Sequence, residues 1–305
     1  MHETSSIESP GAAFPIVRDP PAHALLPVLV SIPHYGTGSL PGVSVSDYSE
    51  PRFSAFPYGY VDAFARDIYG ALHECGATVV ATPFSRLFVD VNRARDDYEL
   101  QAGAVRSTRG VVRTHIRDRE ALFRDPLRPE ALERRLARFY DPYHALLAAR
   151  LERLQRRFGH AVVLDAHTAS AARLGEYEVV IGTRRGRTCS PAMARGMARI
   201  VRRHGFACSF DVPGYSGGHT VRRHGSPDGA VQAVQIEFNA TAIMGTPRDA
   251  YAQAQRLGAV PAHDAAGLAR CIACMREAVR WLGGAGRDAS MLRHTARPAP
   301  GAATR

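Results

Sequence analysis

Two segments far apart in the chain, Ser31-Ile32-Pro33-His34-Tyr35-Gly36 and Leu164-Asp165-Ala166-His167-Thr168, each end an apolar run with a histidine followed by small or polar residues. Val28 to Ile32 and Ala161 to Leu164 are short apolar runs of the kind buried in a parallel sheet, whose carboxyl edge opens onto a cleft. Two histidines delivered to that edge can share a metal ion. Either one alone reads equally well as a hydrogen-bonded structural residue.

Other segments supply groups that would work beside a metal. Phe84 to Arg93 reads as a strand between two arginines that closes on Asn92-Arg93. Asn92 and Arg93 are suited to hold a carboxylate bidentately, and Arg86 to steady oxyanion charge. Surface ion pairs with Asp90, Asp96 or Asp97 are the alternative. Glu237 interrupts the apolar run Gln235-Ile236-Glu237-Phe238. A carboxylate there is costly unless it is used or paired; near an activated water it is a general base, and otherwise a partner for an arginine.

These residues need a scaffold. Apolar runs near 28–33, 78–82, 87–91, 161–166, 177–182, 207–211 and 231–238 predict strands, and helical periodicity predicts helices over 58–74, 129–158, 190–204 and 264–282. The alternation predicts an α/β fold, a single domain with a mixed, mostly parallel sheet flanked by helices. Residues 1–19 read as a mobile leader, 20–282 as the catalytic domain, and 283–305 as a loose Gly- and Pro-rich tail.

At 305 residues and 45% hydrophobic, the chain can bury a full core. There is no lysine, so all 39 basic residues are arginine, and the net charge is +10. The excess suits a small anionic ligand. A basic nucleic-acid-binding protein with structural histidines is the non-enzyme alternative, but no recognition motif accompanies the charge. The five cysteines lack the spacing of a disulfide framework, which points to a reducing, cytoplasmic setting, and Cys271-Ile-Ala-Cys274 falls on a helical pattern as core. The apolar run Ala24 to Ile32 is too short to span a membrane.

In order along the chain, Ser31-Ile32-Pro33-His34 with Gly36 and Thr37, Asp90-Val91-Asn92-Arg93, Tyr143-His144, Asp165-Ala166-His167, Gly217-Gly218 through Arg222, and Gln235-Ile236-Glu237 together resemble the N-formylglutamate amidohydrolases, relatives of the zinc carboxypeptidases and aspartoacylases. The resemblance implies a zinc-carboxypeptidase-like fold and one Zn2+ per chain bound by His34 and His167. It implies that Asn92 and Arg93 grip the substrate carboxylate, Arg86 assists the oxyanion, and Glu237 is the base. It implies a substrate, too: N-formyl-L-glutamate or a similar small N-acyl amino acid, in histidine degradation. A carboxypeptidase-like or other N-acyl-amino-acid hydrolase is the alternative.

Zinc carboxypeptidases take a third ligand from a glutamate three residues after the first histidine; here that position is Thr37. Asp62 is the first candidate to replace it, since similar sequences keep an acid there, with Asp47 and Glu50 next. His219 and His224 flank Arg222-Arg223 in a Gly-bounded loop expected to close over the substrate, with Tyr215 at its entrance. Tyr143 and His144 are expected to pack behind the site, and Asp165 to orient it from behind.

Overall fold

The computed structural model describes residues 14–116, 120–169, 174, 177–240, 243 and 248–284. A seven-stranded sheet forms the centre, in the order β1-β3-β2-β6-β9-β7-β8. Its strands are β1 (Ile16–Arg18), β2 (Val28–Ile32), β3 (Thr78–Ala81), β6 (Ala161–Ala169), β7 (Val179–Gly182), β8 (Cys208–Phe210) and β9 (Val231–Asn239). β3, β2, β6 and β9 run parallel, while β1 pairs antiparallel with β3 and β7 antiparallel with β9. A separate hairpin joins β4 (Glu99–Gln101) to β5 (Ala104–Arg106). The α/β class and mostly parallel sheet are as the sequence predicts; β1, at the end of the expected leader, is an additional edge strand.

Helices cover both faces. α1 (Phe56–Gly59), α2 (Ala65–Tyr69), α3 (Pro129–Arg135), α4 (Asp141–Phe158), α5 (Pro191–Arg203), α6 (His219–His224), α7 (Arg248–Arg256) and α8 (Ala265–Gly284) are the α-helical segments among the described residues. α5 has a complete start signal: the Ser190 side chain accepts from the Met193 N–H at 3.2 Å, and Pro191 follows at the first helical position. Cys271 and Cys274 are buried in the core face of α8, as their helical spacing implies. No helix among the described residues is long and apolar enough to cross a membrane.

The side-chain period of two divides each central strand between two cores. Val28, Val30 and Ile32 join one core with Val162, Leu164, Val234 and Ile236, under α2, α5 and α8. Leu29, Val163 and Ala233 face the other, with α3 and α4. That second face changes character along its length: after Leu29, Val163 and Ala233 come Ser31, Asp165 with His167, and Gln235 with Glu237. Register aligns them, pairing Ser31 with Asp165, Asp165 with Gln235 and His167 with Glu237. The polar half lies at the carboxyl ends of the parallel strands.

Three expected elements are corrected. The helix expected over 58–74 breaks between α1 and α2, because the Asp62 N–H bonds to the His34 carbonyl at 2.8 Å and Phe64 takes a left-handed φ of 59°. The strand expected over 87–91 is a turn followed by extended chain. Phe88 N–H closes onto Ser85 O, and Asp90 N–H and Arg113 N–H make single bonds with Val111 O and Leu87 O, so a ladder does not develop. The helix expected over 129–158 widens into a π-turn at Leu136–Tyr140, just before Pro142, which lacks an N–H and crowds the preceding turn.

Gly36 fixes how the chain leaves β2, since a Cβ there would lie 2.3 Å from the Pro83 carbonyl carbon. We expect Gly36→Ala to force the segment carrying His34 away from 82–83 and to destabilise the protein by about 1–3 kcal/mol. Chemical denaturation measures this, and an unchanged midpoint would contradict the packing described.

Candidate active site

His34 follows β2, His167 lies within β6, and Asp62 occupies the break between α1 and α2. Their ligand atoms lie within 4.8 Å of one another, and all three residues are buried. His34 Nδ1 and His167 Nδ1 are 3.2 Å apart, and Asp62 Oδ2 is 2.9 Å from the latter and 3.6 Å from the former. Two nitrogens bound tetrahedrally at about 2.0–2.1 Å would be about 3.3 Å apart. The donor set therefore fits a divalent metal. Of the candidates for a third ligand, Asp62 is the one in place: Asp47 folds back on the Ser44 N–H, and Glu50 pairs with Arg52 on the surface.

The opposite nitrogens of both rings face carboxylates. His34 Nε2–H donates to Asp90 Oδ1 at 2.7 Å, and His167 Nε2 lies 3.2 Å from Asp165 Oδ2. The bond to Asp90 sets the His34 tautomer, His167 Nε2 also lies 2.9 Å from Asn92 Nδ2, and both Nδ1 atoms face one point. Asp165 is itself held, accepting from Ser31 Oγ, which contacts the Tyr143 hydroxyl, and from Asn92 Nδ2 at 2.9 Å. Tyr143 thus supports the site, while His144 Nε2 donates to Val91 O.

Electrostatics follow from this packing. Burial works to raise the Asp62 pKa, but Arg86 and His34 outweigh it and hold the carboxyl well below its usual range. Burial works to lower the His167 pKa, but Asp165 and Glu237 reverse the balance and lift it well above an ordinary histidine. His167 therefore favours its protonated form among these carboxylates. Arg86 Nη1 donates to His34 Nδ1 at 2.8 Å and lies 3.7 Å from Asp62 Oδ1. Glu237 stands beside His167 in register and accepts from Gln235 Nε2 at 2.9 Å; burial, with Asp62 nearby opposing His167, pushes it up to about 8.

Ten of the residues singled out in the sequence line one cleft of about 1350 Å³: His34, Asp62, Arg86, Asn92, Arg93, His167, Tyr215, His219, Arg222 and Glu237. Their tasks differ from expectation in two places. Asn92 is committed within the protein, with Oδ1 accepting from the Thr220 N–H at 2.8 Å and Nδ2 donating to Asp165. A Cβ on Gly218 would meet this amide at 2.6 Å, so glycine permits the close approach. The expected lid loop is instead α6, whose Thr220 and Val221 are buried and whose start is pinned by Asn92 and by Gln235 Oε1 on the Gly218 N–H. His219 links outward: its Nε2 lies 3.3 Å from the Tyr140 hydroxyl, and its Nδ1 accepts from Arg222 Nη2 at 3.1 Å.

Sequence reasoning did not single out Gln235, Arg113 or Arg184 as lining residues, nor Asp90 as the support of His34. The Asp90-to-Arg93 and Gln235-to-Glu237 segments carried the signal for two of them. The arginines carried none, being one residue type among many.

A family model described as N-formylglutamate amidohydrolase matches residues 26–244. The N-formylglutamate deformylase of Pseudomonas aeruginosa is 32% identical over 223 residues, 70% of this chain and 80% of that one. Its counterpart in Pseudomonas putida is 31% identical over 236 residues, 72% and 82% of the respective chains. The crystal structure of N-formylglutamate amidohydrolase from Ralstonia eutropha JMP134 superposes with a TM-score of 0.75 at 21% identity, over 90% of this chain and 99% of that one. This likeness bears on the fold.

The carboxylates behind the histidines have a measurable consequence. We expect Asp165→Asn to weaken divalent-metal affinity about 10- to 100-fold, read by competition with a chromophoric chelator. Unchanged affinity would contradict the assignment.

Proposed function

Because the chain belongs to the N-formylglutamate amidohydrolase family, we propose that it is a zinc-dependent deformylase that hydrolyses N-formyl-L-glutamate to formate and glutamate. The observation that carries this reading is the convergence of His34, Asp62 and His167 beside a buried Glu237 in an arginine-lined cleft. Two imidazoles and one carboxylate are a catalytic zinc set, with room for a fourth ligand. When bound, Zn2+ supplies Lewis acidity toward water and the acyl carbonyl.

The chain's own groups do the rest. Glu237 takes the proton of the attacking water and delivers it to the departing amine. Arg86 directs N–H groups toward the oxygen on which charge develops. Arg93, 45% exposed and 3.9 Å from Asp90, faces the substrate carboxylate with Arg222, which His219 orients. Asn92 positions both walls, tying β6 to α6, and Tyr215 borders the cleft. All five cysteines are free thiols, which suits a cytoplasmic enzyme.

Purified protein should release formate from N-formyl-L-glutamate, and chelation should abolish the release. His167→Ala should remove metal and activity together, while Glu237→Gln should keep the metal and lose about 100-fold or more in kcat. Since the base acts deprotonated and the metal's charge draws it below about 8, kcat/KM should rise with pH along an acid limb under that value. Chelator-resistant turnover, or full activity in Glu237→Gln, would overturn the reading.

A further inference from the structure

Six arginines line the cleft: Arg86, Arg93, Arg109, Arg113, Arg184 and Arg222. Arg86 and Arg93 have carboxylates within 4 Å, at 3.7 and 3.9 Å. Arg109 and Arg222 are exposed, where water solvates the charge. Arg184 is half-buried and donates Nη1 to Gly217 O at 3.0 Å. Arg113 is in a different position. Like Arg86 Nε, its Nε is sealed from solvent without a partner, but like Arg184 it has no carboxylate in contact, a combination the other five lack; Nη1 donates to Thr108 O at 2.6 Å, and its guanidinium carbon lies 4.6 Å from the Tyr60 ring centroid. No carboxylate among the described residues pairs with it. Its backbone N–H bonds to Leu87 O, which places it next to Arg86. Burial and the repulsion of Arg86, only partly offset by Asp90 and by Tyr60, pull its pKa down to about 10.

A half-buried cation with its Nε sealed from water and no carboxylate in contact is destabilising unless a ligand supplies the anion. Stacking on Tyr60 fixes the plane of the guanidinium, and Thr108 uses one N–H, leaving the rest of the fork unspent. With Arg93 and Arg222 given to one carboxylate, a dicarboxylate leaves a second to be placed. We propose that Arg113 receives the second carboxylate of a dicarboxylic substrate and so sets the preference for an acidic side chain over an uncharged one. This rests on the deformylase reading and adds the residue that selects glutamate.

The test compares wild type with Arg113→Gln and Arg113→Lys, using calorimetric binding of glutarate and of its monoamide. Wild type should prefer glutarate by about 10- to 100-fold, the range of one charge-assisted bidentate contact. Arg113→Gln should abolish that preference without lowering the ligand-free melting temperature, since it removes an unpaired charge. Arg113→Lys should retain part of it. In kinetics, the ratio of kcat/KM for N-formyl-L-glutamate over N-formyl-L-glutamine should fall with the binding preference. A preference that survives in Arg113→Gln, or equal weakening of both ligands with a drop in melting temperature, would overturn the proposal in favour of a structural role. If wild type releases no formate, the deformylase reading fails, and the binding comparison still decides the role of Arg113.

Discussion

The site depends on two imidazole nitrogens held 3.2 Å apart with a carboxylate against them. Asp90 holds His34 from its Nε2 side, Asp62 lies against His167 Nδ1, and Arg86 reaches His34 Nδ1, so both Nδ1 atoms face one shared polar point. Asp165 and Glu237, with Asp62, lift the His167 pKa and favour its protonated form when no metal is bound. A divalent ion exchanges for that charge, so binding metal and losing a proton become one event.

The sheet makes this convergence affordable. Over their amino-terminal halves its four parallel strands are mostly apolar on both faces, and one face turns polar over the last residues of β2, β6 and β9. Buried polar groups are stabilising only when their partners are in place, and here nearly every one has a partner. Ser31, Asp165, Asn92, Gln235 and Gly218 form a connected set running from Tyr143 to α6. The rigidity needed by the ligands is thus shared with the wall that faces the substrate. Arg86 and Glu237 sit at the boundary between this network and the cleft.

His34, His167 and Glu237 are legible from the chain because each breaks the pattern of its own strand: two histidines end apolar runs, and one carboxylate interrupts another. Asp62 is legible only by resemblance, since its position depends on a helix break that a bond to the His34 carbonyl imposes across the fold. Local propensity favoured a continuous helix there, and tertiary hydrogen bonding overrode it. Asp90 suffered similarly, because its turn mimics a strand in composition. The glycines before α6 suggest the freedom of a lid, yet Gly218 serves close packing against Asn92. Among 39 arginines, no periodicity distinguishes Arg113; a place on the cleft with a sealed Nε and no carboxylate in contact does, and only folding reveals it.

The measurement that bears most directly on this account is an anomalous-difference map of the zinc-loaded protein at the zinc edge. A single peak bound by His34 Nδ1, His167 Nδ1 and an oxygen of Asp62, with Asp90 and Asp165 still behind the rings, is the predicted result. A peak held by other residues, or an empty centre after loading with zinc, would contradict it.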